Sequence, residues 1–172
     1  MVKITDFGAT IVEVLTPDKN GILGDITLGF DSVEGYQSGN NQHFGCTVGR
    51  VCNRTANAQF TIGDTTYKLD ANCGGGHHLH GGVKNSLQFK LWEVKEQSAK
   101  RLVFAVKSPH LEEGYPGNLE VTAEYELNDA NELKTFYKAT TDALTPVNIT
   151  NHAYWNLEGE GASSEDLLAH TL

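Results

Sequence analysis

Apolar and polar residues alternate along much of this chain, at the period of a β-strand. The clearest run is Leu119 to Leu127. Leu119, Val121, Ala123, Tyr125 and Leu127 share one face, and Glu120, Thr122, Glu124 and Glu126 share the other. That pattern predicts a strand with one face in the core and one in water. Asn128-Asp129-Ala130-Asn131 then supplies a turn, and 132–140 returns as the second strand of a hairpin. The same reasoning predicts a hairpin over 60–69 with Gly63-Asp64 as its turn. Two more are predicted: 91–97 with 101–107, joined near Ser98-Ala99-Lys100, and 10–16 with 25–30, joined through 17–21. Helix signals are few. One turn is predicted at 31–36, and Ser163 stands three residues before Asp166 as a capping signal for 163–170. Many short strands with short turns predict an all-β chain, an antiparallel sandwich or barrel. Repeats, low-complexity tracts and linkers are absent from the sequence.

The segment TPVNITNHAYWNLEGEG, 145–161, raises a chemical question. Read at period two, Val147, Ile149, Ala153, Trp155 and Leu157 form one face, interrupted only by Asn151. Asn148, Thr150, His152, Tyr154 and Asn156 form the other. The first face suits a core. The second is a row of hydrogen-bonding side chains suited to a wet groove or a ligand. A lone strand histidine is commonly structural. The polar row around His152, and aromatic rings able to stack on a sugar, favour a functional reading.

Composition narrows the classes. The 172 residues suffice for one domain with a core. The net charge of −9 argues against nucleic acid as a partner. No apolar run approaches a membrane span, and the N-terminus carries no signal-peptide pattern. Cys46, Cys52 and Cys73 make an odd set without a CxxC pair, so a reducing, cytoplasmic setting is expected. Asn53-Arg54-Thr55 and Asn148-Ile149-Thr150 match the glycosylation pattern, and without a secretion signal they read as chance matches.

Two further segments carry candidate chemistry. In GCTVGRVCNRTA, 45–56, Arg50 and Arg54 flank a run of small residues, with Asn53 beside the second. Asparagine and arginine together suit sugar hydroxyls; arginines paired with carboxylates on the surface are the competing reading. In CGGGHHLHGG, 73–82, flanking glycines let the backbone approach a ligand closely. His78 and His80 would point the same way in a strand, which invites a metal reading together with His77. Carboxylates at ligand spacing are missing, so a histidine on a sugar hydroxyl, or a plain loop histidine, is preferred.

GRVCNR (49–54), LHGG (79–82), EGYPG (113–117) and TNHAYWNL (150–157) occur in this order. Together they resemble the aldose 1-epimerase family, the galactose mutarotases. DITLGFDSVEGY, 25–36, resembles an early strand and turn of the same family, and the likeness runs from about Gly8 through Leu157. The resemblance implies a large antiparallel β-sandwich, the galactose mutarotase-like fold. It also implies interconversion of the α and β anomers of a free aldohexose such as galactose or glucose, without metal or organic cofactor. By the same motifs Asn53 and Arg54 would bind sugar hydroxyls. His80 would hold the ring-oxygen side of the substrate, and His152 would be the general acid, with Tyr154 beside it. Glu113 and Tyr115 would shape a loop. The family's general base is a glutamate, and it has a sugar-binding aspartate, both in the C-terminal half. Neither has a counterpart here, and nothing sets Glu158 or Glu160 opposite His152. Residues 1–172 therefore read as a single, incomplete aldose 1-epimerase-like domain with open edges and an exposed apolar face. Little mutarotase activity is expected of it alone. The alternatives are a hexose-6-phosphate 1-epimerase, with Arg50 as the spare cation, and a non-catalytic carbohydrate-binding or interaction protein.

Overall fold

The computed structural model describes residues 1–38 and 42–171. In chain order its strands are β1 (Val2–Thr5), β2 (Thr10–Pro17), β3 (Leu23–Asp25), β4 (Thr47–Val48), β5 (Arg54–Thr55), β6 (Gln59–Ile62), β7 (Thr65–Lys68), β8 (His78–Leu79), β9 (Glu93–Gln97), β10 (Arg101–Ser108), β11 (Leu119–Leu127), β12 (Leu133–Thr141) and β13 (Thr150–Asn151). The helices α1 (Val33–Gln37) and α2 (Ser164–Leu168) are short. In the second, Ser163 Oγ donates to Asp166 Oδ2 at 2.7 Å and the Asp166 N–H returns to Ser163 Oγ at 3.3 Å, the reciprocal cap its sequence announces.

The four-stranded sheet runs in the order β12-β11-β10-β9, and a three-stranded sheet runs β1-β2-β3. All of their pairings are antiparallel. Their inner faces share one core. Ile11 and Val14 from β2 pack with Phe104 and Val106 from β10, and with Leu119, Val121, Ala123 and Tyr125 from β11. The alternation read in β11 is thus the alternation that builds the core. Two buried tyrosine and threonine hydroxyls stitch the layers: Tyr125 donates to the Ala9 carbonyl at 2.5 Å and lies 3.2 Å from Thr47 Oγ1. Among the described residues, no helix is long and apolar enough to cross a membrane.

Two strand expectations are corrected. The second strand of the first hairpin is Leu23–Asp25, not 25–30. The Asp25 carboxylate ends it, accepting the Val14 and Thr27 N–H groups at 2.9 and 3.0 Å and so replacing the ladder. The segment 145–161 is strand only at Thr150–Asn151. Asn151 Oδ1 takes the Ala153 N–H at 2.9 Å, and Asn156 makes the same local bond to the Glu158 N–H at 3.2 Å. Asparagine side chains that bond the backbone two residues on turn the chain and end the alternation. The predicted core face is therefore largely open, with Val147, Trp155 and Leu157 at 41, 49 and 67 % exposure. Asn156, predicted wet, is buried.

Candidate active site

Two minimal ladders assemble the site. In the first, β4 pairs with β13, Thr150 opposite Val48 and Asn151 opposite Thr47. It continues beyond the strand ends: the His152 N–H donates to the Cys46 carbonyl at 2.9 Å, and the Gly45 N–H to the His152 carbonyl at 3.2 Å. The Asn151 amide adds a bond to the Gly45 carbonyl at 2.7 Å. This polar residue on an apolar face thus clamps the 43–46 turn beside His152. In the second ladder β5 pairs with β8, Arg54 opposite Leu79. The His80 N–H then donates to the Asn53 carbonyl, and the Asn53 N–H donates to His80 Nδ1, both at 3.0 Å. The Asn72 side chain holds β8 from its other edge, accepting the Leu79 N–H at 2.6 Å and donating to the Leu79 carbonyl at 2.9 Å. The ladders meet at Gly81, where a Cβ would lie 2.1 Å from the Gly49 carbonyl oxygen. Only glycine permits that approach.

The result is a triangle of imidazoles. Ring centroids of His80 and His152 are 5.1 Å apart, His43 and His80 5.1 Å, and His43 and His152 5.8 Å, all edge-to-face. Tyr154 lies 5.3 Å from His152, and Phe44 and Phe89 extend the aromatic wall. Arg54 reaches back to Asn53 Oδ1 at 3.3 Å, and both side chains are exposed at the rim. The residues 53, 54, 80, 152 and 154 singled out in the sequence therefore lie around one place. His43 is an addition, carried by NQHFG, 41–45, where no pattern marked it.

Three of these residues, His43, Asn53 and His80, have left-handed backbone, with φ of 62, 61 and 57°. Such conformations are uncommon outside glycine, and asparagine and histidine are among the side chains that tolerate them best. The electrostatics are equally specific. Burial, then the electrostatic influence of the neighbouring His43, His152 and Arg54, pushes the His80 pKa down to about 4. The Asn53 N–H aimed at Nδ1 agrees, because it fixes a neutral ring with its proton on Nε2. Burial, then His152, also lowers His43.

Other expectations change on the structure. His78 does not point with His80: the strand ends at Leu79 and His80 is left-handed, so period two stops there. His78 is fully buried against Tyr115, with Nδ1 2.7 Å from the Asp70 carbonyl, an acceptor that fixes the proton on Nδ1. His77 Nδ1 accepts the Asn57 N–H at 3.0 Å. Among the described residues, no group of three or more His, Cys, Asp or Glu side chains could hold a metal ion.

Arg50 is not a site residue. It is 2 % exposed, and its guanidinium donates to Ser108 Oγ and to the carbonyls of Ser108, Pro109, Pro116 and Gly117 at 2.7–3.0 Å. Backbone acceptors take the place of the carboxylate expected of a structural arginine. Glu113 accepts the Lys84 and Asn85 N–H groups at 2.8 and 2.5 Å and so pins the loop after Gly82. Glu160 lines a different cavity of 260 Å³, with Lys3, Asp25 and Phe30. A larger cavity of 590 Å³, lined by Ile4, Leu102, Tyr125 and Leu133 among others, also lies away from the imidazoles and contains no histidine.

Known proteins resemble this arrangement of chain and fold. A family model described as Aldose 1-epimerase matches residues 1–172. The galactose mutarotase of Bos taurus is 44 % identical over 161 residues, 94 % of this chain and 46 % of the relative. The aldose 1-epimerase of Escherichia coli is 36 % identical over 160 residues, 93 % of this chain and 45 % of the relative. The crystal structure of a GalM/aldose epimerase homologue from C. elegans superposes with a TM-score of 0.86 at 37 % identity, covering 92 % of this chain and 48 % of that one. Galactose 1-epimerase from Lactobacillus acidophilus gives 0.78 at 33 %, covering 91 and 45 %. The chain thus spans about half the length of the curated relatives it matches, adopts the galactose mutarotase-like antiparallel fold, and belongs to the aldose 1-epimerase family.

Proposed function

We propose that this chain carries the acid side of an aldose 1-epimerase site and takes a free aldohexose, galactose or glucose, as its ligand. The observation that supports it is the pairing of His80 and His152 at 5.1 Å, with Asn53 tied to His80 and Arg54 to Asn53. Mutarotation needs a proton delivered to the ring oxygen and another removed from the anomeric hydroxyl. The open aldehyde then rotates about its C1–C2 bond and recloses with the roles reversed. In this reading His152 protonates the ring oxygen. His80, held neutral with its proton on Nε2, donates a hydrogen bond from the same side. Asn53, Arg54 and Tyr154 bind hydroxyls and the sugar face. No metal or organic cofactor enters this chemistry. The three cysteines are free, which fits a cytoplasmic protein.

The alternative is a non-catalytic sugar-binding reading, in which the same imidazoles and the Asn53–Arg54 rim bind sugar without turning it over. The phosphorylated-sugar reading loses its cation, since Arg50 is buried on backbone carbonyls. The test is polarimetry on freshly dissolved α-D-galactose, with sugar-induced shifts of the His80 and His152 ring resonances followed by NMR. Sugar-induced shifts of both rings, with only a small rate above water that disappears in His152→Ala, are expected. Binding without any rate above water would favour the non-catalytic reading, and resonances unmoved by sugar would sink both.

A further inference from the structure

His80 is held at both of its polar backbone groups, and one of the holds comes from a residue outside the sequence motifs. We propose that Gln88 is a positioning residue of the sugar site, keeping the His80 imidazole aimed at the ligand by fixing the His80 carbonyl. The inference rests on the reading of the site as a sugar site.

The turn that carries the ring is strained. The Gly82 N–H donates to the Leu79 carbonyl at 3.2 Å, and the two central residues, His80 and Gly81, have φ of 57 and 78°. Two successive positive φ values mark a type I′ turn, which favours glycine, asparagine and aspartate. Gly81 adopts it without strain; His80 adopts it at a cost. In the mirror-image type I turn His80 would take the ordinary negative φ, and its carbonyl would face the opposite way. Whatever selects the strained form must therefore act on the peptide groups of His80.

Those groups are all taken. The His80 N–H donates to the Asn53 carbonyl, and the ring Nδ1 accepts the Asn53 N–H, both at 3.0 Å. The His80 carbonyl accepts from Gln88 Nε2 at 2.8 Å, and the same amide reaches the Gly82 carbonyl at 3.4 Å. Both partners are acceptors, so the amide nitrogen has to face them. Gln88 is 2 % exposed and sits in a single 3₁₀ turn, Leu87–Phe89. That turn is anchored: the Leu87 N–H donates to the Gly49 carbonyl at 3.2 Å, and the Trp92 indole donates to the Leu87 carbonyl at 3.0 Å. Leu87 and Trp92 both belong to the core between the sheets. Gln88 thus ties His80 to the core rather than to another loop. Its neighbours act elsewhere: Ser86 Oγ donates to the Gly82 carbonyl at 2.8 Å, and Glu113 accepts the Lys84 and Asn85 N–H groups.

A buried hydrogen bond and the penalty of a left-handed residue are of the same order. Removing the bond should leave the present turn populated about one part in ten. Apparent sugar affinity falls by the competent fraction, so a roughly 10-fold loss is expected.

The experiment is NMR titration of the full chain with D-galactose, with the histidine ring resonances also followed against pH. It compares wild type, Gln88→Met, Gln88→Glu and Ser86→Ala, with urea unfolding recording the stability of each. Methionine has similar length and no donor. In Gln88→Met the dissociation constant should rise roughly 10-fold. The His80 titration, at about 4 in the wild type, should move up toward the ordinary histidine value as the ring leaves its buried place facing His43, His152 and Arg54. Ser86→Ala loosens the same loop through Gly82. It should lose stability while both readouts stay as in wild type, which separates a general softening from the loss of the hold on His80. Gln88→Glu keeps the shape, but its carboxylate would face two carbonyls, so it should be at least as damaging as methionine. Should neither Gln88 variant fold, the wild type decides: the Gln88 Nε2 protons should exchange slowly with solvent and shift together with His80 as galactose is added, and freely exchanging protons overturn the proposal. Affinity and His80 titration unchanged in Gln88→Met, or altered equally by Ser86→Ala, overturn Gln88 as a positioning residue and leave the sugar reading standing. A wild type in which galactose moves neither the His80 nor the His152 ring overturns the reading of the site, and the part of Gln88 in binding with it.

Discussion

Replacing Arg50 by methionine should destabilise the fold severely without touching the proposed sugar recognition. The side chain is 2 % exposed and charged, and it crosses from the β4 region to the 108–117 loop. Nε donates to Ser108 Oγ at 3.0 Å, Nη1 to the Pro116 carbonyl at 2.9 Å, and Nη2 to the carbonyls of Ser108, Pro109 and Gly117 at 2.7, 2.9 and 3.0 Å. Methionine fills similar space and satisfies none of these acceptors. Each acceptor stranded in the interior costs about 1–3 kcal/mol, and water entering the space left by the guanidinium will recover some of that. Removing one partner of a buried charged network typically costs about 3–5 kcal/mol, so a loss in that range is expected. Lysine is an informative control. Its ammonium has three donors against the five of guanidinium, and it lacks the planar fork, so Arg50→Lys should lose a smaller part of the same total. Urea unfolding followed by tryptophan fluorescence measures both. The midpoint should fall in the order wild type, Lys, Met, with the slope unchanged. Sugar affinity measured on the folded protein should be unaltered. A Met variant within about 1 kcal/mol of wild type would refute the structural assignment. Reduced sugar affinity at unchanged stability would return Arg50 to the site.

Gly81→Ala should disrupt the junction of the two ladders, since its Cβ would meet the Gly49 carbonyl at 2.1 Å on a backbone with φ of 78°. Poor soluble yield, or a melting temperature lowered by many degrees, is the expected readout, and a melting temperature equal to wild type would refute it. Asn72→Ala removes both bonds to Leu79 and should lose about 1–2 kcal/mol. It should also weaken sugar binding, because β8 carries His80 into place; unchanged stability and affinity would show that β8 needs no such brace. The His80 pKa, lowered in the folded state to about 4, sets a pH dependence. Between the unfolded value near 6.5 and 4 the unfolded chain binds the extra proton, so stability falls as pH falls through that window and levels off below it. His80→Gln should flatten that part of the curve of urea midpoint against pH, and an identical slope would show that His80 is already protonated.

The hairpins were legible because their information is local. Alternation at period two identified β11, and Gly63-Asp64 marked the turn between β6 and β7. The segment around His152 was legible as chemistry and misread as geometry. Its alternation is real, but Asn151 and Asn156 bond their own backbones and turn the chain. Periodicity does not weigh that competition between side chain and ladder. Arg50 was ambiguous for a related reason. A search for a charged partner finds none in sequence, and the acceptors are backbone carbonyls from 108 to 117, which every residue possesses. His43 was not legible at all. Its neighbours His80 and His152 reach it through ladders that join residues far apart in sequence, and its orientation depends on a left-handed φ that no apolar pattern encodes.

These failures share a physical origin that bears on how the site works. The ladders that place the imidazoles are two residue pairs each, too short to be stable alone. Left-handed residues at 43, 53 and 80 add roughly 1–3 kcal/mol each of unfavourable backbone energy. What holds them is convergence: the Asn151 clamp on Gly45, the Asn72 clamp on Leu79, the Gln88 amide on the His80 carbonyl at 2.8 Å, and the close contact of Gly81 with Gly49. Each clamp is a side chain or a glycine acting on backbone, so each fixes direction rather than adding apolar burial. The sheets supply the stability, and the clamps use part of it to keep three imidazoles edge-to-face before any ligand arrives. Proton transfer to and from a hemiacetal gains most from groups already held at hydrogen-bond distance. On the proposed reading, loosening a clamp should therefore weaken the site's action on sugar more than it reduces stability.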